Sequence, residues 1–120
     1  MALTTEQTVA LGSHQFLDKV NLAYHQEIAA RLRVTPEDIL ARARSNLKRW
    51  LVAHAGTGTG RALEEWQTLI ETRTISELIV IITEDSDEGQ RLRQSTPFVG
   101  VLSAQERKDL FTRCEKEISA

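Results

Sequence analysis

Leu78-Ile79-Val80-Ile81-Ile82 is the longest apolar run in this 120-residue chain, and how it is housed decides the fold class. A short, β-branched run reads naturally as a buried strand. A strand must pair its backbone N–H and C=O groups with another, however, and no second segment here has strand character. The run is also preceded by Thr74-Ile75-Ser76-Glu77, with Thr at a cap position and Glu three residues on, the capping box that starts helices. The segment is therefore expected to be a short, nearly fully buried helix at the centre of the core. The chain is expected to be all-α, a compact array of five to six short helices with no sheet.

The remaining elements follow from the 3.6-residue period. Leu17, Val20, Tyr24, Ile28 and Leu32 fall on one helical face, within a pattern that spans residues 5–32. Gly12-Ser13 interrupts that pattern, so residues 1–12 are expected to form a loose tail or turn and 13–118 a single helical domain. Thr35-Pro36-Glu37-Asp38 starts a second helix: Thr35 as N-cap, Pro36 in the first turn, two acids at the positive dipole end. It should run to about His54, with Ile39, Leu40, Ala43, Leu47, Trp50 and Leu51 inward and Arg42, Arg44, Lys48 and Arg49 outward. Residues 55–60, all small, make an inter-helix loop rather than a phosphate cradle, because no Gly-Lys-Ser/Thr follows and a helix, not a strand, precedes. A helix over 61–71 should bury Leu63, Trp66, Leu69 and Ile70. Asp85-Ser86-Asp87-Glu88 opens another, which Pro97 closes by disfavouring helix at Thr96. Ser103-Ala104-Gln105-Glu106 is a second capping box, opening a last helix that should bury Leu110, Phe111, Cys114 and Ile118.

Fifteen Lys and Arg against seventeen Asp and Glu leave a net charge of −2, so no general basic field draws the chain to nucleic acid or anionic membranes. A lone cysteine, Cys114, has no internal disulfide partner, which favours a reducing compartment. The N-terminus has no basic segment followed by an apolar one, so no signal peptide is expected, and no run approaches the ~20 residues of a membrane span. A cytoplasmic protein without membrane contact is the expectation.

Two arrangements invite a chemical reading. His14, Asp18, Asn21 and His25 share a helical stripe, but the two histidines are separated by about 16 Å along an α-helix and cannot share an ion. No metal site and no cofactor are expected. Arg49-Trp50-Leu51-Val52-Ala53-His54 resembles the Arg-x4-His signature of the HEPN ribonucleases, small all-α domains. The resemblance implies Arg49 and His54 as catalytic residues, the arginine stabilising phosphorane charge and the histidine moving a proton. That is the alternative reading. His54 at a helix end beside a glycine loop is also simply a good terminus residue, and the chain is not expected to be an enzyme. The basic face around Arg42, Arg44, Lys48 and Arg49 does not favour DNA binding, because Glu37 and Asp38 occupy the helix end that would meet phosphate.

The most distinctive stretch is Arg91-Leu92-Arg93-Gln94-Ser95-Thr96-Pro97-Phe98. With Glu27-Ile28-Ala29-Ala30-Arg31-Leu32 and residues 41–50, it resembles short uncharacterised bacterial proteins that occur alone or joined to helix-turn-helix modules. The likeness spans about 24–111. Such proteins look like toxin–antitoxin or repressor accessory components, which implies a binding role rather than catalysis, with a protein partner expected. A domain that does no more than associate with a second copy of itself is a further alternative. No residue roles transfer, and this chain has no helix-turn-helix of its own. The residues expected to meet a partner are Arg91, Arg93, Gln94 and Phe98; Phe98, Val99, Val101 and Leu102 are also placed to turn inward and seal the core.

Overall fold

The computed structural model describes residues 14–119, and the expected tail or turn over 1–12, with Ser13, lies outside them. Among the described residues there are six helices and no strand: α1 (His14–Val34), α2 (Pro36–Ala53), α3 (Gly58–Thr72), α4 (Ile75–Thr83), α5 (Asp87–Gln94) and α6 (Ala104–Ser119). The all-α array is the observed fold. Helix α1 is its hub, packing against α2, α4, α5 and α6, while α2 pairs with α3 and α4 with α5.

That hub position explains where the expected stripe on α1 fails. Ile28 and Leu32 are fully buried, but Leu17 is 54% exposed, and Phe16, Ala23, His25 and Ala29 are buried instead. A helix contacted from several sides buries a wide arc, not one narrow stripe. Its first half contributes Phe16 and Ala23 to a small cluster with Leu110 and Cys114 of α6. Phe111, expected inside, is 40% exposed and stands edge-on to Phe16 with ring centroids 5.1 Å apart.

Helix starts follow local chemistry. Thr74 and Glu77 exchange the two bonds of a capping box, Glu77 N–H to Thr74 Oγ1 at 3.1 Å and Thr74 N–H to Glu77 Oε1 at 3.0 Å. Ser103 and Glu106 do the same ahead of α6. Thr35 is the N-cap ahead of Pro36 as expected, its carbonyl accepting from Ile39 N–H at 3.3 Å, but its side chain makes no cap bond; the hydroxyl donates back to the Arg31 carbonyl. With one residue between α1 and α2, Thr35 finishes the first helix through its N–H to Arg31 and starts the second through its carbonyl. Helix α3 starts at Gly58, earlier than the expected Arg61, because Thr57 Oγ1 accepts from Gly60 N–H at 3.0 Å. Half of the glycine-rich stretch is thus a helical turn. A Cβ on Gly60 would lie 2.3 Å from the His54 carbonyl oxygen, so only glycine lets α3 start this close to the end of α2.

The 78–82 run is helical, but it is not nearly fully buried. Leu78 and Ile82 are inaccessible, Ile79 and Ile81 half-buried, and Val80 is 66% exposed. Helix α4 packs on α1 and α5 with Leu78 and Ile82, at i and i+4, in the core, Ile75, Ile79 and Ile81 packed against its edge, and Val80 turned outward. The centre of that core is Trp66 of α3, packed edge-on against Phe98 at 5.8 Å between ring centroids. No helix is long and apolar enough to cross a membrane among the described residues.

Candidate partner-binding groove

The chain leaves helical geometry after Gln94, with Ser95 as C-cap, and crosses the core before α6, which leaves carbonyl groups of this segment and of the last turn of α5 without a regular ladder. A buried carbonyl needs a donor. Donors arrive from the three helices underneath. Trp66 Nε1–H of α3 reaches the Leu92 oxygen at 2.9 Å, and the Asn46 amide of α2 donates to both Pro97 and Val99 at 2.9 and 2.8 Å. From α1, the Tyr24 hydroxyl donates to Phe98 at 2.7 Å, Asn21 Nδ2 to Arg93 at 3.4 Å, and Arg31 Nη1 to Val101 at 3.2 Å. No buried side-chain N or O lacks a partner among the described residues.

His25 belongs to the same network. Its ring is fully buried, with Nδ1 2.7 Å from the Asn21 carbonyl oxygen and Nε2 2.7 Å from Thr96 Oγ1. Burial, with the positive Arg93 nearby, pulls its pKa down to about 4. Burial likewise pushes the Tyr24 phenol above its ordinary range.

This framework sorts the four residues expected at a partner surface into two pairs. Arg93 and Phe98 are inside, 2% and 0% exposed, and are not available to a partner. Phe98 fills the space over Trp66. Arg93 Nη1 donates to the carbonyls of Ile82 and Glu84, at 3.3 and 2.7 Å, and so satisfies the last turn of α4, where the helix dipole favours a cation. Burial lowers its pKa, opposed by Asp85, Asp18 and Glu84. Arg91 and Gln94, on the outward face of α5, are exposed. The Arg91 guanidinium is held by Glu88 at 2.5 Å and by both oxygens of Glu65 at 2.9 and 3.0 Å, which raises its pKa.

Arg91 and Gln94 form one rim of a groove of about 620 Å³, whose other side is the end of α2 and the start of α3. Trp50 and Leu63 line it deeper in, and Val99, 46% exposed, lines the wall beside Thr96. His54 is on this groove, at the C-cap of α2, where its backbone N–H bonds the Trp50 carbonyl. Arg49 is not. It donates to Asn46 Oδ1 at 2.6 Å and to Ser45 Oγ at 3.4 Å, and so turns the Asn46 N–H groups toward Pro97 and Val99. His54 therefore lines this groove without Arg49. No family model, curated protein or solved structure matches the chain.

The histidine stripe is also divided, with His14 exposed and His25 in the core, and no group of three or more metal-ligating side chains occurs among the described residues. Sequence reasoning missed the donors Asn46, Asn21 and Trp66. Asn46 had a signal: it lies on the inward face of α2, three residues after Ala43 and next to Leu47, where an amide must find partners.

Proposed function

We propose that the chain is a small helical protein-interaction module, the antitoxin or regulatory accessory half of a bacterial cassette, and that its partner seats in the groove between α2, α3 and α5. The observation that carries this reading is a concave surface whose walls are fixed in advance. Trp50 and Val99 offer apolar area, Gln94 and His54 offer polar rim groups, and the segment behind them is tied down by Asn46 and Trp66. A pre-organised groove with an aromatic anchor and a polar edge binds without a large ordering cost. The resemblance over 24–111, most specific at 91–98, to short uncharacterised bacterial proteins that look like accessory components of such cassettes supports the regulatory role.

Co-expression with the product of the adjacent gene tests it. The wild-type chain should co-purify with that partner. The Trp50→Ala/Gln94→Ala pair should lose it while keeping a cooperative melt. Absence of a co-purifying partner, or capture unaffected by the double substitution, ends this assignment.

A further inference from the structure

A second groove separates α2 from α3, about 380 Å³, floored by Leu47, Leu51 and Ile70. Its two walls carry opposite charge. Arg44 and Lys48 stand on the α2 side, and Glu71, beside Gln67, on the α3 side. Ion pairs hold Lys19, Arg31, Arg73 and Arg91 against carboxylates of the same chain. None of the ion pairs among the described residues involves Arg44, Lys48 or Glu71. Val52, on the outward side of α2, is 81% exposed.

The two helices are antiparallel, since Gly60 lies against His54 while 67–71 face 44–51. A face built from antiparallel neighbours, one basic and one acidic, is complementary to itself. We propose that it takes a second copy of this chain, related by a two-fold axis that runs along the groove. That axis lays α2 of each copy over α3 of the other, antiparallel, and brings Arg44 to Glu71 of the partner copy twice. A two-fold axis across the groove would instead stack α2 on α2 and oppose cations with cations. The net charge of −2 adds little repulsion between copies. A footprint one helix pair wide and ~27 Å long covers roughly 500 Å² per copy, at the low end for specific interfaces, so the dimer is weak and reversible. This surface is independent of the groove that holds Trp50 and His54.

Sedimentation velocity over a dilution series tests the proposal. Wild type should dimerise reversibly, with association weakening as salt rises. Arg44→Glu and Glu71→Arg should each weaken it by about tenfold or more, and the doubly swapped chain, Arg44→Glu/Glu71→Arg, should regain association to within a few-fold of wild type. All are surface positions, so thermal melts at concentrations where every variant is monomeric should coincide. A wild type that stays monomeric throughout overturns the proposal, as does a dimer that ignores the single swaps or is not rescued by the double one. A monomer that instead takes up an amphipathic helical peptide, acidic on one flank and basic on the other, would replace the second copy with a foreign helix.

Discussion

His25 Nε2 and Thr96 Oγ1 lie 2.7 Å apart in the interior, and this pair joins the hub helix to the segment that crosses the core. The direction of each bond follows from its neighbours. Nδ1 faces the Asn21 carbonyl, which can only accept, so Nδ1 carries the ring proton and Nε2 is an acceptor. Thr96 therefore donates its hydroxyl hydrogen to His25 and accepts from Phe98 N–H at 3.2 Å. Every group is satisfied once, and only with a neutral imidazole.

The pH dependence of stability follows. His25 titrates near 6.5 when unfolded and near 4 when folded, so between those values the unfolded chain binds more protons. Stability from this group is fully present above about pH 6.5 and is lost as pH falls toward 4, by up to about 3 kcal/mol. Urea midpoints measured from pH 7 to 4 should show that decline, and His25→Gln should flatten it. A variant with the wild-type slope would place the titration elsewhere.

Asn46 supplies two donors and one acceptor from the inner face of α2. Asn46→Ala strands the Pro97 and Val99 carbonyls and should cost roughly 2–4 kcal/mol. Asn46→Asp is the sharper probe. It keeps the shape but turns a carboxylate oxygen on two carbonyls, so its loss in urea midpoint should exceed that of Asn46→Ala despite the nearby Arg49. Equal or smaller loss would mean that packing, not donor chemistry, is what Asn46 provides.

The helices were legible in the sequence because their signals are local. Thr74/Glu77 and Ser103/Glu106 each act within four residues, and each acts in the structure as its chemistry dictates, while α5 ends at Gln94, two residues before the Thr96 that Pro97 keeps out of a helix. What stayed hidden depends on tertiary neighbours. That Arg93 would be buried while Arg91 is exposed cannot be read from two arginines near a helix end; it depends on where the open carbonyls of α4 come to lie. Likewise Val80 sits in the most apolar run, yet its exposure is set by how many sides of α4 are covered. The groove is hidden for the same reason, since Trp50, Leu63 and Val99 come from three separate segments.

Phe98 closes the core over Trp66 and is fully inaccessible. Phe98→Ala should cost about 3–5 kcal/mol, and Phe98→Leu markedly less because it keeps most of the volume. Chemical denaturation of the two variants checks this. A near-neutral Phe98→Ala would require Phe98 to lie at the surface, contrary to its place here.

Gly89 gives the last test, because helix propensity and tertiary structure predict opposite signs. It lies within α5, where alanine would ordinarily gain about 1 kcal/mol over glycine. Here a Cβ would fall 2.0 Å from the Glu84 carbonyl oxygen and 2.9 Å from Arg93 Nη1. The guanidinium and the end of α4 would have to separate, breaking the bonds that Arg93 makes to Ile82 and Glu84. Gly89→Ala should therefore destabilise, by about 2 kcal/mol or more. Arg93→Met removes the same bonds while keeping the stem, and should cost roughly 1–3 kcal/mol. Since the two substitutions disrupt one contact, their combined effect should fall short of their sum in a double-mutant cycle. Full additivity would mean that Gly89 is required for the approach of α5 to Glu84 alone and not for seating Arg93.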